Sequence, residues 1–254
     1  MPIGFWRRKP TASLSMKDKN QRIWELDAFR GLCILCMVVI HFVYDLRELY
    51  QLVSFDYPAF FVLLKDWGGV LFLLISGISV TLGRRSVRRG LLVFACGLIC
   101  TAVTAGLYLL DYQPVDIIIW FGVLHCLGAC MLLWPVFGKL PVWALGILGI
   151  LLTVIGYGLR YVTAPWDYLA FLGYRSAEFT SSDYFPLLPN LGWFLLGAWL
   201  GRTAYREKRS LFPRGAGENP IFRGLGWCGR HSLQIYLLHQ PVLAVVCLVW
   251  SLFA

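Results

Sequence analysis

Charge is what this chain has least of. Only 15% of its 254 residues are Asp, Glu, Lys or Arg, against 58% that are hydrophobic, and the mean hydropathy is +0.66. A soluble domain carries about a quarter of its residues charged, so that class is excluded. Acids are scarcer than bases, 14 against 23, and there are four histidines. The resulting net charge of +9 is spread between apolar runs rather than gathered into the single patch that nucleic-acid binding needs. The first 22 residues hold Arg7, Arg8, Lys9, Lys17, Lys19 and Arg22 but no apolar core and no small-residue cleavage site. That excludes a signal peptide and reads as a basic cytoplasmic tail over residues 1–24. No internal repeat or low-complexity tract divides the remainder, so residues 25–254 are expected to form one transmembrane domain. No metal cage is visible. Cys33 and Cys36 form a C-x-x-C without a second ligand pair, and with Cys96, Cys100, Cys126 and Cys130 they read as small apolar filler.

What the chain does have is long apolar runs, several close to the ~20 residues that cross a bilayer as a helix. The pattern predicts an all-α, polytopic membrane bundle of about seven spans, at roughly 25–46, 60–82, 89–110, 116–137, 141–163, 187–202 and 229–252. Placing alternate connections on opposite sides puts the tail, Arg84, Arg85, Arg88, Arg89, Lys139 and the basic 202–230 segment together. Arg47, Lys65, Arg160 and Arg175 fall on the other side. The asymmetry predicts a cytoplasmic N-terminus and an outside C-terminus. The outer loop 164–186 carries Trp and Tyr suited to the interface, and the inner segment 203–228 faces anionic lipid heads or an anionic cytosolic ligand.

The first run is the most informative. Arg30 and His41 are separated by ten residues, which on a helix puts them ~20° apart in angle and ~16 Å apart along the axis, on one face. Asp45 is one turn beyond His41, where a carboxylate can hold an imidazole in one tautomer, and Asp27 is one turn before Arg30 and can pair with it. A polar stripe along an apolar helix is costly to bury and marks a site. His125 and His239 come from two other spans yet fall in the same central-to-outer layer as His41. Pro241 also frees the carbonyl of Leu237 to line a polar cavity. His41 and Asp45 are therefore the catalytic candidates, with His125, His239 and Gln240 as supporting or oxyanion candidates. His231, beside Arg230, reads as interfacial. Arg84 and Arg88, with Arg30, are candidates for the phosphates of a cytosolic donor, and Asp27 joins the donor-binding set as the partner of Arg30; ordinary inner-side charge is the plainer account of the first two. Asp183 and Tyr184 are acceptor-side candidates, for which a solvated acid beside an interfacial tyrosine is the plainer account.

The stretch W-E-L-D-A-F-R-G-L-C-I-L-C-M-V-V-I-H resembles the opening of membrane acyltransferases. Its R-x10-H matches the acyltransferase-3 signature. Its D-x-x-R-G opening (Asp27, Arg30, Gly31) resembles the heparan-α-glucosaminide N-acetyltransferase catalytic domain family. F-L-L-I-S-G near Gly77, G-V-L-H-C-L-G around His125, D-Y-F-P-L-L-P from Asp183 and G-R-H-S-L-Q-I-Y-L-L-H-Q-P-V follow in order, as in the short bacterial branch. The resemblance implies transfer of an acyl group, usually acetyl, from cytosolic acyl-CoA to a hydroxyl or amine of an envelope sugar or glycolipid across the membrane. It implies a catalytic histidine and an arginine on the donor path. Acetyl-CoA is the implied donor, with no metal and no nucleic acid, and the oligomeric state, a homodimer among the options, is open. The lysosomal branch places its key histidine beyond the first helix, and residues 46–66 here contain none. His41 must then take that role, as general base or as an acyl carrier. The rival reading is a proton-coupled transporter or flippase component, since intramembrane His and Asp also build proton relays.

Overall fold

The computed structural model describes residues 23–110 and 115–253, so all but the last two residues of the expected tail lie outside the described residues. In chain order the helices are α1 (Trp24–Tyr44), α2 (Ala59–Leu82), α3 (Ser86–Leu109), α4 (Val123–Phe137) and α5 (Val142–Leu159). They continue with α6 (Leu187–Thr203), the single turn α7 (Arg214–Gly217), α8 (Pro220–Arg230) and α9 (Ser232–Ser251). A π-helical turn, Asp45–Leu49, extends α1. Among the described residues no strand forms; two isolated bridges, Phe121 with Tyr184 and Thr163 with Arg175, tie loop to loop.

Helices occupy all seven predicted stretches, and five of them are long and apolar enough to cross a bilayer: α1 with its π turn, α2, α3, α5 and α9. The other two are shorter, with 15 residues in α4 and 17 in α6. At ~1.5 Å per residue these reach ~22 and ~25 Å against a hydrocarbon core of about 30 Å. α4 was expected from residue 116 and begins at Val123 because other partners take the backbone before it. The Thr101 hydroxyl donates to the Ile119 carbonyl at 2.6 Å, Thr104 accepts the Ile119 N–H at 3.1 Å, and the Phe185 N–H donates to the Phe121 carbonyl at 2.9 Å. At the other end of the chain α9 fills the expected seventh span, and a further helix forms ahead of it in the basic inner segment. Residues 220–230 form α8, opened by Pro220 with the Asn219 side chain accepting the Ile221 N–H at 2.9 Å. A non-helical His231 separates α8 from α9.

The centre of the bundle is α2, α4, α5 and α6, whose Leu73, Val80, Cys126, Cys130, Leu145, Leu191, Phe194 and Leu195 pack as one buried cluster. α2 and α6 approach backbone to backbone: a methyl on Gly77 would strike the Phe194 carbonyl, and one on Gly197 the Leu74 carbonyl. α3 packs on α4, and α1 on α2 and α8. Outward-facing Leu98, Ile99, Ile147, Leu151, Val245 and Leu248 are exposed, as a lipid-facing surface requires.

One packing relation positions the site. α8 and α9 run in the same direction as α1. Phe222 lies at Trp24 with ring centroids 5.3 Å apart, Gly229 lies against the backbone of Asp27 and Gly31, and His239 lies at His41. A methyl on Gly31 would strike the Leu225 carbonyl, and one on Gly229 the Asp27 carbonyl, so this contact admits glycine alone. The interval of ten residues from Gly31 to His41 equals that from Gly229 to His239, which carries the glycine contact forward, in register, to the histidine pair.

Candidate active site

His41 on α1 and His239 on α9 face each other with ring centroids 4.8 Å apart, and both are half-buried. The Nδ1 of His41 lies 3.0 Å from the Met37 carbonyl oxygen, beside the Met37 sulfur, and the Nδ1 of His239 is bonded to the Tyr236 carbonyl. A carbonyl can only accept, so each Nδ1 carries the proton of the neutral ring and each Nε2 keeps its lone pair. Two basic nitrogens are thereby offered within one small volume. Side chains on a helix lean towards its N-terminus, which brings both imidazoles back over the preceding turn.

Asp45 does not orient His41 as the i,i+4 spacing predicted. Its carboxylate is fully buried and is held from α9 instead, where Gln240 Nε2 donates to both oxygens at 3.1 and 2.9 Å. The imidazole has turned back to Met37, and the amide, which needs an acceptor once α9 is packed, has taken the carboxylate. The result ties the two histidine-bearing helices together, one turn beyond His41 on one side and at the residue after His239 on the other. Gln240 Oε1 is buried without a partner among the described residues.

Asp183 is not the solvated acid that the plainer account expected. One of its oxygens, Oδ2, accepts the Val123 N–H at 2.9 Å at the start of α4 and the Tyr236 hydroxyl at 3.0 Å. Burial pushes its carboxyl above the ordinary range, with the Val123 N–H, the Tyr236 hydroxyl and the charge of His41 pulling the other way. Tyr236 in turn lies 5.4 Å from the His239 ring, so Asp183, Tyr236, His239 and His41 form a continuous row. Sequence reasoning missed Tyr236. Its signal was position, three residues before His239 and so on the same helical face, but a tyrosine in an apolar run reads as packing. Tyr184 donates to the Ala170 carbonyl at 2.7 Å, its phenol pushed up to about 12 by burial despite Arg175 and Arg160. It braces the loop rather than facing the row.

His125 is separate from the histidine pair in its contacts. It is buried between Phe94 and Phe121, its Nδ1 accepts the Gly122 N–H at 3.3 Å to cap α4, and Nε2 is 3.4 Å from the Thr101 hydroxyl. A side chain enclosed in this way supports a helix end. His231 lies at the α8–α9 junction, its ring tilted against Trp227 with centroids 4.5 Å apart.

At the far end of α1, Arg30 donates to the Ser79 hydroxyl of α2 at 2.6 Å and pairs with Asp27 at 3.5 Å, the pairing that the spacing predicted. Arg84, Arg85, Arg88 and Lys139 line a cleft of about 580 Å³ with Trp134 and Pro135, where the α2–α3 and α4–α5 turns meet. All four basic side chains are exposed, and the cleft is large enough for phosphates. Arg202, which is not part of that lining, donates to the Leu140 carbonyl at 2.8 Å and to the Gly138 carbonyl, closing the end of α4. Among the described residues no His, Cys, Asp and Glu cluster has metal-holding geometry, and the eight cysteines are free thiols.

In comparison with known families, residues 22–241 match the family model described as "Heparan-alpha-glucosaminide N-acetyltransferase, catalytic". No curated protein and no solved structure matches. The matched region contains every candidate discussed above, from Asp27 to Gln240.

Proposed function

The chain belongs to the heparan-alpha-glucosaminide N-acetyltransferase catalytic family, and from that membership we propose that His41 and His239 are the proton-handling pair of a membrane acetyltransferase. The observation that carries the reading is their contact at 4.8 Å with both Nδ1 atoms occupied by main-chain carbonyls. A transporter would need support that neither the family nor the fold supplies.

The donor is acetyl-CoA, entering from the end of the bundle that holds Arg84 and Arg88, whose charges suit its phosphates, with Arg30 and Asp27 further along the path. The acceptor is a hydroxyl or amine of an envelope saccharide or glycolipid, entering from the end that holds the 160–186 loop. On this reading the donor end is cytoplasmic and the membrane is a bacterial inner membrane, crossed seven times if α4 and α6 complete their spans with the segments that flank them.

In the transfer step His41 Nε2 takes the acceptor proton as the acceptor heteroatom bonds to the thioester carbonyl carbon. The tetrahedral oxyanion collapses, the carbon–sulfur bond breaks, and the departing thiolate recovers the proton from the imidazolium. The products are the acetylated acceptor and free CoA. His239, 4.8 Å away, shares the charge on the imidazolium, while Asp45 and Gln240 hold α1 and α9 at the separation this requires.

The test is transfer of labelled acetyl from acetyl-CoA to glycan and lipid acceptors in proteoliposomes. His41→Ala should abolish turnover while CoA binding persists, and wild-type transfer by that variant sinks the proposal. Label held by acid-quenched protein without acceptor would instead show an acyl-histidine route.

A further inference from the structure

A second cleft, of about 530 Å³, opens between the first turn of α1 and the α7–α8 segment, lined by Trp24, Asp27, Phe222, Arg223, Trp227 and Arg230 among others. Arg223 and Arg230 are exposed and join no ion pair among the described residues, whereas Asp27 is already engaged by Arg30. Trp24 lines the cleft, and its indole N–H is buried without an acceptor among the described residues. An unmade bond of that kind is costly, and it marks a place where an acceptor atom is missing. Two free guanidinium groups beside it specify the missing acceptor as anionic.

The walls say what the anion is attached to. Phe222 and Trp227 line the cleft and are exposed, exposed Phe212 lies 6.4 Å from the Trp24 ring, and exposed Ile221 precedes Phe222 on α8. Apolar side chains mixed with arginines on one short amphipathic helix, at the level where the apolar run of α1 begins, fit the boundary between lipid heads and acyl chains. We infer that this cleft is a binding site for the phosphoryl headgroup of an anionic phospholipid, with Arg223, Arg230 and the Trp24 indole as its ligands and Ile221, Phe222 and Trp227 against the acyl chains.

The site also connects to the rest of the molecule. The two arginines lie on either side of Gly229 in α8, whose backbone lies against Asp27 and Gly31, and ten residues further on, along α1 and across the α8–α9 junction, His41 meets His239. A headgroup bridging α8 to Trp24 therefore clamps the pair of helices on which the histidine contact depends. The inference is independent of acetyl transfer, because the cleft and its ligands exist whatever the histidines do.

The experiment is native mass spectrometry of the full-length detergent-solubilised protein titrated with phosphatidylglycerol or phosphatidylcholine. Phosphatidylglycerol should bind and phosphatidylcholine should not. Arg223→Gln with Arg230→Gln should weaken binding roughly 30-fold, about fivefold for each charge near the surface. Trp24→Phe keeps the aromatic packing and should weaken it by about tenfold through the lost N–H bond alone. Arg84→Gln with Arg88→Gln, at the other cleft, should leave it within twofold, and melting temperatures verify that every variant folds. The inference is overturned by equal binding of the two lipids or by unchanged affinity in the arginine double variant. Displacement by millimolar phosphate or coenzyme A overturns it as well, since the cleft would then serve a soluble anion.

Discussion

Gln240 donates from a single nitrogen to both carboxylate oxygens of Asp45, at 3.1 and 2.9 Å, across the interface between α9 and the end of α1. Asp45 is fully buried, so this amide is the main compensation for the water its carboxylate has lost. Removing only the donor leaves a buried acceptor unmatched, at a cost of ~1–3 kcal/mol. Gln240→Leu should therefore lower the melting temperature of the purified protein clearly. Asp45→Leu with Gln240→Leu, which removes both partners, should recover most of the loss. Equal destabilisation in the single and double variants would falsify the pairing as the source of the effect.

The histidine pair makes a separate prediction about rate. His41→Ala removes the base and should cut kcat by ~10²–10⁴-fold, the usual range for a positioned acid–base group. His239→Ala leaves His41 in place but removes its neighbour, and should cut kcat less while shifting the pH profile. Melting curves for both should stay close to wild type, because neither ring is fully buried. Identical rates and pH profiles for His239→Ala and wild type would reduce His239 to a packing residue.

The exposed arginines at the donor cleft should act on binding alone. Arg84→Gln with Arg88→Gln removes two exposed charges lining about 580 Å³ of cleft. KM for acetyl-CoA should rise about tenfold or more, as loss of charge-assisted phosphate contacts implies. The value of kcat should hold, and so should the melting temperature. A fall in kcat at unchanged KM would place these side chains outside the donor path.

Much of this was legible from hydropathy. Apolar period and length located a helix at each predicted place, because a bilayer imposes a length on every crossing. The errors fall where hydrogen bonding overrode hydropathy. Residues 116–122 are apolar enough to be helix, yet Thr101 and Thr104 on α3 and Phe185 beyond the loop claim their backbone groups. Spacing along one helix also predicted the Asp27–Arg30 pair, which is local, but not the partner of Asp45, which comes from 195 residues away. The row from Asp183 to His41 was invisible for the same reason. Its members come from a loop and two helices, and only folding shows that Tyr236 connects them.

The glycine contact between α1 and α8 should govern activity from a distance. A methyl on Gly31 would fall on the Leu225 carbonyl, and one on Gly229 on the Asp27 carbonyl. Neither obstacle is a flexible side-chain tip, so the helices must separate, at ~1–3 kcal/mol for an overpacked contact. Gly31→Ala should then lower both the melting temperature and turnover, since His239 follows Gly229 by ten residues across the one-residue junction between α8 and α9. Gly224→Ala, where a methyl meets open space, is the control and should change neither. If Gly31→Ala lost stability but kept full turnover, the register between the two contacts would not matter.

Asp183 gives the molecule a pH dependence whose sign follows from its surroundings. Burial is the largest influence on its carboxyl and holds it above the ordinary range, against the opposing pull of Val123, Tyr236 and His41. A carboxyl whose pKa is raised on folding favours the fold while it is protonated. That contribution is complete below the unfolded value, ~4 for an aspartate, and drains away as pH climbs to the folded one. Asp183→Asn cannot ionise, yet its amide oxygen can still accept from the Val123 N–H and the Tyr236 hydroxyl. The melting temperature of this variant relative to wild type should therefore rise as pH climbs from ~4, and level off below that. Other acids titrate in both proteins alike and cancel in the difference. A gap that stays constant with pH, or that narrows as pH rises, would mean that the row is anchored by an ordinary, solvent-stabilised carboxylate.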